Sequence, residues 1–164
     1  MQARVWQTSL FMIAFALFVM VVRGTPLAQS VNAEVGTWNL NLAKSKYKDG
    51  RRPKRATHTI APAGAGIKTI VDGVSGDGTV RHYEFTANYD GKDHPMVGNS
   101  ANGDMIALTR IDATTIQAVT KHGGQVAVTM TWVVSSDGRT LTITSTGTNV
   151  FGKAVNNLSV YDRQ

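Results

Sequence analysis

From Ala56 to its end, the chain alternates between short runs rich in β-branched and aromatic residues and turns built from Gly, Asp and Asn. The turns recur at intervals of about ten residues, which is typical of strands in an antiparallel sandwich or barrel. No stretch of this region keeps the apolar period of a helix. The pattern predicts ten strands, at 36–42, 56–61, 67–74, 79–89, 95–98, 105–110, 115–120, 125–135, 140–148 and 154–162.

The connections between the predicted strands are short, and they contain residues that tolerate the positive φ angles of tight hairpin turns. Strands that follow one another in sequence should therefore pair. An open meander of this kind leaves two strand edges exposed, and pairing of the last strand with the first removes both. The sequence thus predicts an all-β fold, an antiparallel up-and-down β-barrel of about 8–10 strands.

Alternation of residue types indicates which side chains face the barrel interior. In two of the predicted strands, the inward residues are Tyr83, Phe85, Ala87, Tyr89, Val126, Val128, Met130, Trp132 and Val134. In the last strand, Asn157, Ser159 and Tyr161 share one face. Part of the interior is therefore expected to be polar.

The N-terminal residues have the composition of an export signal. One cation, Arg4, precedes a run at 9–22 that is nearly free of polar groups and too short to span a bilayer comfortably. We predict a signal peptide with a helical segment over residues 1–33, cleaved after Ala33 or less favourably after Ala28, and a mature domain over 34–164. The protein is then exported, to the periplasm or to the medium. The alternative is an uncleaved N-terminal membrane anchor.

Positive charge is concentrated in one segment of the chain. The seven cations of this basic patch are Lys44, Lys46, Lys48, Arg51, Arg52, Lys54 and Arg55. The patch suits a weak contact with an anionic surface, whose strength would fall with salt, and a solvated loop is the alternative. Because the patch contains a single aromatic residue, Tyr47, no specific nucleic-acid binding is expected.

The first predicted strand carries a short motif. Gly36-Thr37-Trp38 matches the Gly-x-Trp signature, and with the strand meander it resembles the calycin superfamily of lipocalins and fatty-acid-binding proteins. Across 36–47, 89–93 and 133–141, the chain is most similar to small uncharacterised secreted bacterial proteins of lipocalin-like type. This resemblance implies the barrel fold and export, and it implies no reaction. Gly36 and Trp38 are predicted to be structural, with Trp38 as a plug at the barrel base.

The chain departs from fatty-acid-binding proteins at two places. Those proteins carry two lid helices after the first strand, whereas the segment between Leu42 and Ala56 is short and contains Gly50 and Pro53. Their last strand carries an inward Arg two residues before a Tyr, and the corresponding position here is Ser159. Of that carboxylate clamp, only Tyr161 carries over.

Several side chains are candidates for binding a ligand inside the barrel. Two arginines at predicted strand ends share the parity of inward residues, and Arg suits an anionic head group. Aromatic side chains with polar tips are typical of small-molecule sites. The candidates are Arg81, Tyr83, Phe85, Arg110, Trp132 and Tyr161. The alternatives are arginines turned to solvent and aromatic side chains that simply fill the core.

No arrangement of residues indicates catalysis. The chain has no Cys, and His58, His82, His94 and His122 lack the spacing of metal ligands, so surface positions are expected for them. Ser75 lies in a predicted hairpin turn, where it cannot serve as a hydrolase nucleophile. We predict no catalytic residue, no metal and no cofactor.

Three hypotheses follow for function. The first is an exported, monomeric, non-catalytic barrel that binds a small apolar or amphipathic molecule in its interior. The second is a filled barrel that acts as an interaction or envelope-associated protein through its loops and the basic patch. The third is a small outer-membrane barrel, which is disfavoured because few of the predicted strands reach the required length.

Overall fold

The structure, a computed structural model, describes residues 32–48 and 52–164. The strands are β1 (Gly36–Leu40), β2 (Lys46–Tyr47), β3 (Arg55–Ala63), β4 (Gly66–Val74), β5 (Val80–Asn88), β6 (His94–Gly98), β7 (Met105–Arg110), β8 (Thr115–His122), β9 (Gln125–Val134), β10 (Thr140–Thr148) and β11 (Ala154–Arg163). The predicted signal peptide lies outside the described residues apart from its last two, and so does Arg51 of the basic patch. Within the described ranges, no helix is long and apolar enough to cross a membrane.

All ten predicted strands are present, and their ends differ from the predicted ones by at most two residues. The two-residue strand β2 was not predicted. It forms because Lys46 and Tyr47 pair with Leu158 and Asn157 of β11, a contact between distant parts of the chain. The predicted all-β barrel is confirmed.

Strand β1 closes the sheet into a barrel. From β3 to β11, each strand pairs antiparallel with the next. Strand β1 pairs with β3 on one side, where Trp38 faces His58, and with β11 on the other, where Trp38 faces Arg163. Ten strands therefore form a closed barrel, and β2 lies farther along the same edge of β11 as β1.

The two ends of the barrel are built differently. At one end, which we call the open end, lie the turns at 75–79, 99–104, 123–124 and 149–153 together with residues 52–54. At the other, the closed end, residues 32–35 lie before β1 and cover the base. Glu34 in this segment is 1% exposed.

The core follows the predicted alternation over most of its length. Of the predicted inward residues, Phe85, Ala87, Val128, Met130, Trp132 and Val134 are buried. Val126 is exposed because the start of β9 reaches the rim of the open end. Tyr89 follows the end of β5 and lies at the closed end. The barrel interior is therefore packed in its closed half and less completely filled towards the open end.

Candidate functional site

A cavity of about 210 Å³ lies in the half of the barrel nearest the open end. Five of the six predicted ligand-binding residues line it, namely Arg81, Tyr83, Phe85, Trp132 and Tyr161. The turns of the open end contribute Ser75, Ala101 and Asn102 to its wall. The structure thus brings most of the predicted candidates together around one space.

One wall of the cavity is formed by directly paired residues of β3, β4 and β5, which share the inward face of the sheet. From the open end inwards, the rows are Ala56–Gly73–Arg81, His58–Val71–Tyr83 and Ile60–Thr69–Phe85, and of the third row only Phe85 lines the cavity. The two small residues beside Arg81 leave space around its side chain. The wall therefore changes from cationic at the mouth to aromatic and aliphatic at the bottom.

His58 lies in the middle row and is buried, so its expected surface position was wrong. Its ring centroid lies 4.7 Å from that of Tyr161 and 6.2 Å from that of Trp132. Burial lowers the pKa of His58 to about 4, because the charged imidazolium is disfavoured away from water. The imidazole is therefore neutral at pH 7.

Two buried polar atoms of residues that line the cavity have no hydrogen-bond partner among the described residues. They are Nδ1 of His58 and Nε1 of Trp132, and both residues line the cavity. A third, Oγ1 of Thr69, lies one row deeper than His58. Buried polar atoms in native proteins are nearly always paired, so each exception requires an explanation.

The part of the wall formed by β11 is polar, as the shared face of Asn157, Ser159 and Tyr161 predicted. Asn157, Ser159 and Tyr161 of β11 all line the cavity. The hydroxyl groups of Tyr47 and Ser159 are hydrogen bonded at 2.9 Å. Burial raises the pKa of Tyr161 well above its usual value and that of Tyr83 to about 12. Both phenols therefore keep their protons at neutral pH and can donate hydrogen bonds into the cavity.

Arg81 lies where the cavity meets the open end. Its Nε donates to Ser75 Oγ at 3.0 Å and its Nη1 to the Asn99 carbonyl at 3.2 Å. Its guanidinium carbon lies 5.5 Å from the centre of the Phe151 ring. Arg81 forms no ion pair with a described carboxylate, and no described Asp or Glu lines the cavity. Its positive charge is therefore available to an anionic group.

Arg110, the sixth candidate, lies at the closed end and does not line the cavity. Strands β5 and β7 run in the same direction, so the start of β5 and the end of β7 lie at opposite ends. The Arg110 Nη2 donates to Glu34 Oε1 at 2.6 Å and to Asn32 Oδ1 at 3.2 Å. Its guanidinium carbon lies 4.0 Å from the centre of the Tyr89 ring.

The closed end is held by Trp38 and groups that contact it. Trp38 is fully buried, as predicted for a plug at the base, and its Nε1 donates to the Glu34 carbonyl at 2.7 Å. The Arg163 guanidinium carbon lies 4.1 Å from the centre of a Trp38 ring. Arg163 also donates to the carbonyls of Ala33 and Val35, both at 2.7 Å.

Gly36, Glu34 and Arg163 also belong to the closed end. A side chain at Gly36 would collide with Arg163, which supports the structural role predicted for this glycine. Glu34 and Arg163 themselves were missed by the sequence analysis. The predicted pairing of the last strand with the first was the signal that would have placed Arg163 beside Trp38.

The basic patch is divided between two places. Lys44 forms an ion pair with Asp162 at 2.8 Å, away from the open end. Residues 52–54 lie against the turn at 75–79, where the Lys54 amide donates to the Val74 carbonyl at 2.8 Å. In the described part of the chain, no three His, Asp or Glu residues are grouped as metal ligands.

Comparison with known proteins supports the architecture. No protein-family model and no curated protein matches the chain. Among solved structures, a redesigned β-barrel, mFAP1, solved bound to DFHBI, is similar with a TM-score of 0.52 and 14% sequence identity. The match covers 83% of this chain and 100% of mFAP1. On this likeness and its own topology, the chain is a closed antiparallel β-barrel.

Proposed function

We propose that the barrel binds a small amphipathic molecule in its interior cavity and catalyses no reaction on it. The observation that carries the proposal is the pair of unpartnered polar atoms, His58 Nδ1 and Trp132 Nε1, buried at the cavity wall. An unsatisfied buried group costs about 1–3 kcal/mol. A ligand that supplies a hydrogen-bond acceptor to the indole and a partner to the imidazole removes that cost.

The size of the cavity restricts the ligand. A dry apolar cavity of about 150 Å³ accepts benzene. At about 210 Å³, this cavity accommodates one or two rings or a short branched chain. A longer molecule would extend into the outer recess of about 520 Å³ at the open end, which shares Arg81 and Asn157 with the cavity.

The chemistry of the walls favours a molecule with an anionic or strongly polar end. Arg81 at the mouth supplies a charge-assisted donor, and Phe85 and Trp132 supply apolar surface below it. We infer that the ligand lies with its polar group towards the open end. The similar barrel mFAP1 was solved bound to DFHBI, which supports small-molecule binding as a use of this architecture.

The same walls support a role without catalysis. No described carboxylate lines the cavity, so a general base of that type is missing beside His58. The imidazole itself has its pKa lowered to about 4, which makes it a weak base. We also propose that the protein is exported, on the basis of the apolar run at 9–22.

Cavity filling provides the test. The Val71→Trp variant should place a large side chain in the middle row of the wall and abolish binding. Val133→Trp is the matched control, because Val133 lies on β9 with its side chain exposed. Native mass spectrometry of the exported protein from its source should show a co-purifying small molecule with wild type and the control only.

A titration with 2-naphthoate, followed by tryptophan fluorescence, measures the dissociation constant. Wild type and Val133→Trp should saturate with similar dissociation constants. Arg81→Gln should bind at least about ten-fold more weakly, since a hydrogen bond to a charged group contributes about 1.5–3 kcal/mol. Equal binding by Val71→Trp and wild type would place the ligand elsewhere. The cavity itself weighs against the second hypothesis, in which the barrel is filled.

A further inference from the structure

We propose that the rim of the open end docks onto an anionic lipid surface. By the rim we mean the exposed side chains Val80, Val126 and Phe151 and the cations Lys48, Arg52, Lys54, Arg55 and Lys153. This inference concerns the outside of the barrel, and it does not depend on a ligand in the cavity.

The first observation is exposed apolar surface. Phe151, in the turn between β10 and β11, is 57% exposed, and Val80 at the start of β5 is 65% exposed. Val126, at the start of β9, is 62% exposed although its neighbours of the same parity are buried. Towards the closed end, the described exposed large apolar side chains are Ile111, at 59%, and Val133, at 39%. Apolar groups at one end of a barrel are suited to enter the interface of a lipid bilayer.

The second observation is the charge of the same end. The rim cations form no ion pairs with described carboxylates. The acidic side chains in the described turns of this end are Asp77 and Asp104, and Asp104 Oδ2 is hydrogen bonded to His122 Nδ1 at 2.9 Å. At the closed end, in contrast, Arg110 is paired with Glu34, and the exposed cations Lys92 and Arg139 share their turns with Asp90 and Asp137. Unpaired cations around apolar tips match the head groups and hydrocarbon of an anionic membrane.

The third observation is that these groups are held together by backbone contacts. The Lys54 amide donates to the Val74 carbonyl, which places residues 52–54 against the turn that leads into Val80. The Val150 amide donates to the Ala101 carbonyl at 3.0 Å, which fixes the turn that carries Phe151. The cationic and apolar parts of the rim therefore form one surface.

A membrane fits this surface better than a nucleic acid does. Phosphates would satisfy the cations but would leave Val80 and Val126 in water. Single-strand binding also requires several aromatic platforms, and Phe151 is the one large exposed aromatic side chain among the described rim residues. Because Arg81 contacts Phe151 and lines the cavity, docking would bring the cavity mouth to the lipid.

Co-sedimentation of the mature protein with lipid vesicles tests the proposal. At low salt, the protein should bind vesicles that contain phosphatidylglycerol and should not bind vesicles of phosphatidylcholine alone. Each cation near the surface contributes about five-fold in partitioning, so the double variant Lys54→Gln/Lys153→Gln should bind roughly 25-fold more weakly. Phe151→Ser should also weaken binding. The factor by which it weakens binding should change less with salt concentration than the factor for the double variant.

The control has the same change of net charge at the opposite end. Lys92 and Arg139 are exposed in closed-end turns, and Lys92→Gln/Arg139→Gln should bind as wild type does. An equal loss in both double variants would overturn the proposal in favour of unspecific charge attraction, and tighter binding to a single-stranded oligonucleotide would overturn it in favour of nucleic acid. Val71→Trp should dock normally, which separates failure here from failure of the cavity proposal.

Discussion

Replacement of Glu34 by Gln tests how much stability the closed end provides. The Glu34 side chain is 2% exposed, accepts a hydrogen bond from Arg110 at 2.6 Å and accepts another from the Tyr89 hydroxyl. The substitution keeps the size of the side chain and removes its charge. It therefore isolates the ion pair from the packing of the base.

The expected loss follows from these contacts. Removal of one partner of a buried ion pair costs about 3–5 kcal/mol, because the remaining charge is left buried. Arg110 is 25% exposed, so water reaches part of its guanidinium, and the amide carbonyl that replaces the carboxylate still accepts one hydrogen bond. We expect Glu34→Gln to lower the free energy of unfolding by about 2 kcal/mol. That is a large fraction of the roughly 5–15 kcal/mol typical of a domain.

Urea unfolding, followed by tryptophan fluorescence, measures the effect. The midpoint should fall while the m-value stays unchanged. Lys44→Gln is the matched control, since it breaks the exposed Lys44–Asp162 pair at 2.8 Å and should cost less than about 1 kcal/mol. If Glu34→Gln shifts the midpoint no more than Lys44→Gln does, the closed end does not hold the barrel in the way we infer.

Two other predictions concern pH and processing. The pKa of His58 is about 4 in the folded protein and ordinarily 6.5, so between these pH values the unfolded chain binds a proton that the folded chain does not. The free energy of unfolding should therefore fall by roughly 2 kcal/mol as the pH is lowered from 6.5 to 5. Urea unfolding of His58→Gln should lack this loss, and the same pH dependence in His58→Gln and wild type would contradict the low pKa of His58. A mature chain that begins at Glu34 would lack the Asn32 side chain that accepts from Arg110 and the Ala33 carbonyl that accepts from Arg163. We therefore expect the exported protein to begin before Asn32, as it would after cleavage following Ala28. An intact mass that corresponds to a chain beginning at Glu34 would refute this.

The fold was predictable because its signals are local. Alternation with period two and Gly or Asx turns identify each strand without reference to the rest of the chain, and the confirmed strands show this. Strand β2 was not predictable in the same way. Lys46 and Tyr47 have no repeating pattern of their own, and they pair only after β11 has been brought beside them.

The site was predictable in part. The parity of a residue shows which face of the strand its side chain lies on, but it does not show at which end of the barrel the residue lies. Parity placed Arg81 and Trp132 on the cavity wall. It also placed Arg110 on the inward face, and only the strand directions show that Arg110 lies at the closed end. His58 shares the parity of Ile60, so the alternation of β3 was the signal for its burial. The lack of metal-ligand spacing was a poor guide to its position.

The cavity near the open end and the Glu34 cluster at the closed end are separate parts of the barrel. Ile67, Leu108 and Leu141 are fully buried and do not line the cavity, and Ile67 lies one row below Phe85, towards the closed end. Glu34, Arg110 and Tyr89 do not line the cavity, so substitutions at the two places should add in their effects on stability. A ligand that binds only the folded state would stabilise it in proportion to the logarithm of its concentration. That gain should be the same in Glu34→Gln as in wild type, because the closed end supports the barrel whether or not the cavity is filled.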